Sequence, residues 1–237
     1  MLFLHETHQV VGAREEEFEA AYREGWMPTL AEGDDARLLW YANHAHGSGV
    51  SYNVVTVTAI ADGAAWERLD RRVRSGDLNP WMRELDHLRH DVTGKLLLPV
   101  EWSPLQTVDL AAVPTDGATH PLSLFMEDTG WPHAPLDYYI RMWDEIYYRV
   151  LSKAPREMRI LDIQACFQVA HGSYRRREAM LWQKIEEVND YAALVRLLTT
   201  ETAPEHRQPG SYMVEALKYR DQWESRLLRT SNWSPLY

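Results

Sequence analysis

Ala-His-Gly-Ser, the tetrapeptide at Ala45–Ser48, occurs a second time at Ala170–Ser173, 125 residues further along the chain. Two other segments repeat in the same order. The peptide Trp-Ser-Pro-Leu at Trp102–Leu105 returns unchanged at Trp233–Leu236, and Leu2–Thr7 resembles Leu124–Thr129. Three collinear matches at nearly equal separations are hard to obtain by chance, so we interpret the chain as a tandem duplication.

The break between the two copies falls in Val113–Pro121, whose prolines, glycine and threonines are typical of a linker. The sequence therefore predicts an N-terminal repeat at residues 1–105, a linker at 106–121 and a C-terminal repeat at 122–237. A chain of 237 residues is long enough for two small domains.

Hydrophobic spacing predicts the same order of elements, β-α-β-β-α-β, in both copies. Phe18, Tyr22 and Trp26, for example, recur at helical spacing. In the first copy we expect strands at 2–9, 37–44, 52–60 and 95–102, and helices at 14–30 and 63–90, the second interrupted near 76–80. In the second copy we expect strands at 122–129, 158–170 and 175–185, helices at 135–152, 188–200 and 210–224, and a last strand that runs to Leu236.

The β-α-β-β-α-β unit is the ferredoxin-like motif, whose antiparallel sheet carries helices on one face only. Its other face must be buried, and a tandem copy is the economical partner. We therefore predict an α+β fold in which two ferredoxin-like repeats form a pseudo-dimeric α/β barrel. On this topology and duplication, the chain resembles a fused member of the dimeric α/β-barrel superfamily, with its NIPSNAP-like, EthD-like and antibiotic-biosynthesis-monooxygenase-like proteins. The resemblance implies a small-molecule pocket in the barrel interior and carries over no catalytic motif.

Composition narrows the classes of partner. The net charge of −10 disfavours nucleic acid and anionic membranes. No dinucleotide fingerprint, phosphate-binding loop, Gly-x-Ser-x-Gly elbow or His-Glu-x-x-His motif occurs. The start of the chain has no signal-peptide pattern, no apolar run approaches the roughly 18 residues of a membrane helix, and the single cysteine, Cys166, is interpreted as a buried, inert thiol. These features predict a cytoplasmic protein.

Alternate residues of the strands are expected to line the barrel interior. His5 shares a face with Phe3 and Thr7, and its counterpart in the second copy is Glu127. Because His5 and Glu127 are different ionisable groups at matched positions, the sequence predicts that they provide acid and base at neutral pH.

The repeated turn supplies two further catalytic candidates, His46 and His171, for which the alternative is a structural role as hydrogen-bond partners of the turn backbone. Gly47 and Gly172 are predicted to adopt the positive φ of tight hairpins. His44 and His46 have the spacing of two metal ligands on one strand face, but no third ligand can be located, and no metal is predicted. A further pair, His87 and His90, is interpreted as part of a solvated helix face.

Polar residues of the central strands are candidates for substrate binding, and they are Tyr41, Asn43 and Tyr52 in the first copy and Arg177 and Glu178 in the second. The 10 tryptophans and 12 tyrosines suit a pocket for a flat or apolar organic ligand.

These features predict a cofactor-independent enzyme that acts on a small hydrophobic or aromatic metabolite as an isomerase, cyclase, lyase or oxygenase. One alternative is a non-catalytic small-molecule binding module. The other is a haem-binding enzyme, which tandem barrels resembling chlorite dismutase imply, with His171 or His206 as the proximal ligand. A homodimer is compatible with all three.

Overall fold

A computed structural model describes residues 1–155, 159–187 and 207–237, together with Ala192 and Val195. Its strands are β1 (Leu2–Val10), β2 (Ala36–His44), β3 (Asn53–Ile60), β4 (Arg89–Pro99), β5 (Leu124–Gly130), β6 (Leu161–His171), β7 (Ala179–Ile185) and β8 (Trp223–Thr230). Its α-helices are α1 (Glu15–Ala20), α2 (Met27–Ala31), α3 (Gly63–Ser75), α4 (Asn79–Leu88), α5 (Leu136–Met142), α6 (Arg149–Lys153) and α7 (Tyr212–Ala216). A π-helical segment joins α1 to α2 at Ala21–Trp26, and another joins α5 to α6 at Trp143–Tyr148.

The eight strands form one closed antiparallel barrel in the order β1-β3-β2-β8-β5-β7-β6-β4. The first four strands are ordered β4-β1-β3-β2, and the last four follow the same relative order, β8-β5-β7-β6. Pairing of β2 with β8 and of β4 with β6 closes the barrel. The α+β class and the barrel are thereby confirmed.

Each strand sends alternate side chains into two different cores. On β3, Val55, Val57 and Ala59 face the barrel interior, whereas Val54 and Ile60 pack under α1 to α4. The helices α5 and α7 cover the outer face of β6 and β7 in the same way. Because both faces are covered, β3 and β7 are almost entirely buried.

The segment between β4 and β5, predicted to be a linker, closes one end of the barrel. Leu105, Val108, Leu110 and Val113 pack against the interior core. Met1 and Leu236 join them there. This segment does not cover the opposite end, where the β2–β3 and β6–β7 connections lie; we call that end the open end.

The repeated Trp-Ser-Pro-Leu peptides make matching contacts. The hydroxyl of Ser103 accepts a hydrogen bond from the Cys166 backbone N–H at 2.9 Å and donates to the Leu105 carbonyl. Ser234 likewise accepts from the Tyr41 N–H at 3.0 Å and donates to a carbonyl two residues on. Both serines lie beside irregularities in strand register, one in β2 and one in β6.

The turn glycines adopt the expected conformations, with φ of +81° at Gly47 and +88° at Gly172. Several predicted element boundaries are wrong: β7 begins at Ala179 instead of 175, the helix predicted at 210–224 covers only Tyr212–Ala216, and the two largest differences concern β4 and the last strand. The strand β4 begins at Arg89, so His90 and Asp91 lie on a strand, because pairing with β1 extends over nearly all of its length. The last strand ends at Thr230 and begins at Trp223, because pairing with β5 overrides the helical spacing of that segment.

The helix predicted at 188–200 lies outside the described residues, apart from Ala192 and Val195. In the described ranges, none of the helices has both the length and the apolar character needed to cross a bilayer.

Candidate functional site

His5 of β1 and Glu127 of β5 meet inside the barrel. The imidazole Nε2 lies 2.6 Å from the carboxylate Oε2, and each residue is 1% exposed. The two strands are not neighbours in the sheet, so the side chains reach each other across the interior. Both residues thus point into the barrel and contact each other there, as their matched positions in the sequence led us to expect. Their chemical role stays a prediction.

Two basic residues flank the pair. Lys95 stands opposite His5 in the β1–β4 register, and Arg226 stands opposite Glu127 in the β5–β8 register. The Arg226 guanidinium lies 3.6 Å from Glu127 Oε1 and donates to the Thr7 hydroxyl at 3.4 Å. Positive charge therefore approaches the carboxylate from more than one side.

These neighbours decide the charge of Glu127. Burial alone would raise its pKa, but the charge and the hydrogen bond of His5, followed by the charges of Arg226 and Lys95, outweigh burial and lower the pKa to about 2. The carboxylate is thus ionised at neutral pH and accepts a hydrogen bond from Nε2–H of His5. The other ring nitrogen, Nδ1, has no hydrogen-bond partner among the described residues. An imidazole held in this way presents its second nitrogen for proton transfer.

An aromatic layer lies next to the pair, toward the closed end of the barrel. Its members are Phe3, Trp40, Phe125, Phe167 and Trp182. The rings of Trp40 and Trp182 are 5.4 Å apart, and both indole N–H groups are buried without a hydrogen-bond partner in the described part of the chain. Buried indoles usually find a partner, so these two unsatisfied donors are unusual and mark this layer as a candidate contact for a ligand.

His44 lies at the open end of the barrel. Both of its ring nitrogens are buried without a partner among the described residues, as is the side-chain oxygen of Asn53 at the start of β3. Burial, and next the charge of Arg226, lower the pKa of His44, so its imidazole is neutral. It can therefore both donate and accept a hydrogen bond.

Solved structures with the same architecture align over almost the whole chain. A protein of Lactobacillus acidophilus NCFM proposed to be a monooxygenase matches with a TM-score of 0.57, 7% identity, and coverage of 98% of this chain and 96% of that one. An anthrone oxidase-like protein matches with a TM-score of 0.57, 8% identity, and coverage of 97% and 91%. A mutant form of the chlorite dismutase of Candidatus Nitrospira defluvii matches with a TM-score of 0.50, 10% identity, and coverage of 97% and 90%.

The fold, a closed barrel of eight antiparallel strands with helices packed outside it, is shared with these solved structures. Proteins of the NIPSNAP family also match, over less than half of the chain. Neither a protein-family model nor a curated protein matches the sequence. At these identities the likeness establishes the fold of the chain alone.

Glu178 is the one predicted substrate-binding residue that lies beside the pair, at the open end of the barrel, through its contact with Lys95. It is 3% exposed and accepts hydrogen bonds from Lys95 at 2.5 Å, Ser173 at 2.5 Å and Trp131 at 3.1 Å. Burial would raise its pKa, but the hydrogen bonds from Lys95 and Ser173 lower it further than burial raises it. Glu178 is therefore ionised and bound by protein donors on several sides.

Tyr41 and Asn43 face the helices instead of the interior. Tyr41 packs against Tyr22 and Trp233, and Asn43 donates to Ser231. The structure therefore does not bring Tyr41 and Asn43 to His5 and Glu127, because β2 turns Trp40 and Ala42 inward.

The remaining candidates lie at the surface of the barrel. Tyr52 is 50% exposed in a connection with φ of +60°, and Arg177 donates to the carbonyls of His133 and Ala134. His46 and His171 are exposed, and among the described residues neither side chain makes a hydrogen bond, including to the turn backbone. The structure does not bring these four residues to His5 and Glu127.

The metal and haem hypotheses find little support in the described residues. β2 ends at His44, so His44 and His46 do not share a strand face, and no group of three or more metal-ligating side chains occurs in the described ranges. His171 is exposed, which does not fit an axial haem ligand enclosed by a pocket, and His206 lies outside the described residues.

A second buried polar cluster occupies the helix-facing side of β1, opposite His5 as the alternation predicts. Arg89 donates to His8 Nδ1 at 2.8 Å, and Nε2 lies 3.0 Å from the Thr56 hydroxyl and 3.2 Å from that of Tyr22. Burial, and then the charge of Arg89, keep the pKa of His8 well below its usual value. His8 is therefore a neutral, fully bonded histidine that joins sheet and helix.

Sequence reasoning missed four residues of the site: Lys95, Arg226, Trp40 and Trp182. The first two could have been found, because each stands seven residues before a Trp-Ser-Pro-Leu peptide and so occupies a matched position. The two tryptophans carried no such signal.

Two surface clefts, of about 410 and 470 Å³, lie outside the barrel and include none of the predicted site residues.

Proposed function

We propose that this dimeric α/β barrel is a cofactor-independent enzyme that performs acid–base chemistry on a small hydrophobic or aromatic metabolite. His5 is the acid–base group, and Glu127 orients it. The observation that carries the proposal is the buried 2.6 Å hydrogen bond between them, which leaves Nδ1 of His5 without a partner among the described residues.

The mechanism follows from the charge of Glu127. When His5 is neutral, the ionised carboxylate holds the imidazole proton on Nε2, so Nδ1 carries a lone pair that can remove a proton from a substrate. The charge of His5 that lowers the pKa of Glu127 belongs to the protonated imidazole, the state that His5 reaches after it has taken that proton. As the imidazolium forms, the carboxylate stabilises it, and the proton can then return to another atom of the substrate. Isomerisation, cyclisation, elimination or reaction of the resulting carbanion with oxygen all begin with this step.

The surroundings support an apolar substrate that carries an oxygen atom. The aromatic layer would bury a flat or apolar body, and the indole N–H groups of Trp40 and Trp182 are donors for a carbonyl or hydroxyl oxygen. Such an oxygen would receive negative charge when a proton leaves the neighbouring carbon, and nearby donors would stabilise it.

Deuterium exchange tests the proposal without knowledge of the product. Pooled aromatic and alicyclic ketones and phenols are incubated with the protein in D2O, and proton NMR follows the loss of C–H signals. We expect exchange that is abolished in His5→Gln and slowed about 100-fold in Glu127→Gln. The matched control is His46→Gln, whose exposed imidazole lies at the surface, and it should exchange at the wild-type rate.

A non-catalytic small-molecule binding module is the second candidate. The unpartnered indole N–H groups of Trp40 and Trp182 and the apolar rings beside them favour it, because they could hold a ligand whether or not His5 takes part in chemistry. Ligand-induced stabilisation without any protein-dependent exchange would decide for this candidate and against the enzyme.

We also propose that residues 1–105 and 122–237 are two ferredoxin-like repeats that arose by tandem duplication, joined by 106–121. Support comes from the same strand order in the two sets of four strands and from the matching contacts of Ser103 and Ser234. In this view His5 and Glu127 are equivalent positions that have diverged.

A further inference from the structure

We infer that the ligand of the proposed site is an organic carboxylate, with an apolar or aromatic body and one carboxylate group held between Lys95 and Arg226. The inference rests on the proposed function, because it concerns the same open end of the barrel, and it narrows the class of substrate. It follows from the charged groups that stand between His5 and the solvent.

The two basic side chains lie on the way to the buried pair. The side chains of Lys95 and Arg226 are 16% and 23% exposed, whereas those of His5 and Glu127 are 2% and 1% exposed. They extend from β4 and β8, strands on opposite sides of the barrel. A molecule that reaches Nδ1 of His5 from the open end must therefore pass these two cations.

The carboxylates already present leave room for one more. Lys95 already donates to Glu178, and Arg226 lies 3.6 Å from Glu127. An ammonium has three N–H donors and a guanidinium five, so each cation keeps donors for a further carboxylate. Glu224 is 45% exposed, so its 3.1 Å ion pair with Arg226 is weak in water. A ligand carboxylate would take the place of Glu224 and meet the two-pronged guanidinium in a drier environment.

Further basic side chains stand around this end of the barrel, although the chain carries a net charge of −10. Arg175, Arg176 and Arg177 follow one another in the β6–β7 connection, directly before Glu178. The lowered pKa values of Glu127 and His44 are each caused in part by Arg226. Exposed basic side chains attract small anions to the surface around them.

A matched pair of probes tests the inference. Naphthoate and naphthamide share one ring system and differ in charge, and isothermal titration calorimetry measures the affinity of each at neutral pH. We expect naphthoate to bind the wild-type protein at least about 10-fold more tightly than naphthamide. The preference should shrink as salt is raised, because salt screens the partly exposed cations.

Four variants test which side chains cause the preference for naphthoate over naphthamide. Arg226→Gln and Lys95→Gln should each remove about 10-fold of the affinity for naphthoate and leave that for naphthamide unchanged. Arg226→Lys keeps the charge and should keep most of the preference, which covers the case that Arg226→Gln does not fold. The control is Arg229→Gln, which removes an exposed arginine on the same strand that lines an outer cleft, and it should bind both probes as the wild type does.

The outcomes separate this inference from the proposed function. The inference that the ligand is a carboxylate would be overturned if naphthoate and naphthamide bound with equal affinity. It would also be overturned if Arg229→Gln removed the preference as fully as Arg226→Gln. Neither result would contradict the proposed acid–base function. Failure of both probes to bind would count against the inference and the proposed function together. If deuterium exchange occurred only in neutral ketones, the proposed function would be supported and the inference that the ligand is a carboxylate would be refuted.

Discussion

At the scale of single residues, the pair of His5 and Glu127 makes the stability of the protein depend on pH. In the folded protein the pKa of Glu127 falls from an ordinary 4.5 to about 2, because His5 and then Arg226 stabilise the ionised form more than burial opposes it. A group whose pKa is lowered by folding contributes stability above its unfolded pKa and loses it as the pH falls through the folded value. The contribution of Glu127 is therefore present above pH 4.5 and lost toward pH 2.

We expect Glu127→Gln to reduce the free energy of unfolding by about 3 kcal/mol at neutral pH, because it leaves a buried imidazole without its charged partner. The difference between variant and wild type should shrink as the pH is lowered from 4.5 toward 2. Urea denaturation at a series of pH values measures this difference, and the titration of groups remote from Glu127 cancels because both proteins contain them. A difference that is constant over this range would contradict the assignment of the pKa.

The two turn glycines should respond unequally to the same substitution. Both have positive φ, which an alanine adopts at a penalty of about 1–2 kcal/mol. The space around Gly47 is open, whereas a Cβ on Gly172 would overlap the carbonyl oxygen of Gly94. Gly47→Ala should therefore lower the unfolding free energy by about 1–2 kcal/mol and Gly172→Ala by roughly 3 kcal/mol or more. Equal losses in urea denaturation would show that the two turns are not packed as described.

At the scale of elements, the two serines of the Trp-Ser-Pro-Leu peptides connect the strands that close the barrel, β4 with β6 and β8 with β2. Ser103 follows β4 and bonds to β6, and Ser234 follows β8 and bonds to β2. Each hydroxyl thus satisfies a backbone N–H at a place where the regular ladder is interrupted.

Removal of either hydroxyl should destabilise the fold by about 1–2 kcal/mol, because a buried N–H is left without a partner. The two decreases in unfolding free energy should add in the double variant, since one serine lies at the β4–β6 pair and the other at the β8–β2 pair, and they share no partner. Ser152→Ala is the control, because Ser152 is exposed and bonds only within its own helical segment. Chemical denaturation measures all four proteins, and a loss in the control as large as in Ser103→Ala would contradict the assigned role.

At the scale of the whole molecule, neither set of four strands has a closed sheet of its own. Removal of the last four strands would expose the free edges of β2 and β4, which pair with β8 and β6, together with the apolar inner face. Open edges beside an apolar face favour pairing with another chain.

The fragment 1–105 should therefore form a homodimer in which β2 of each copy pairs with β4 of the other and rebuilds eight strands. Size-exclusion chromatography with light scattering gives its mass. The intact chain, measured in parallel, should unfold in one transition followed by tryptophan fluorescence and circular dichroism. A stable, folded monomer of the fragment would contradict this account of how the two sets depend on each other.

Sequence alone determined what depends on local geometry. Side chains alternate along a strand whatever lies around it, so Phe3, His5 and Thr7 were placed on one face, with Glu127 at the matching position. Tertiary structure decided the rest. The inward turn of Trp40 and Ala42 excluded Tyr41 and Asn43 from the interior. The contact of His5 with Glu127 depends on barrel closure by strands far apart in sequence. Local spacing cannot encode that closure, because it requires long-range pairing that forms only when the whole sheet curls and meets itself.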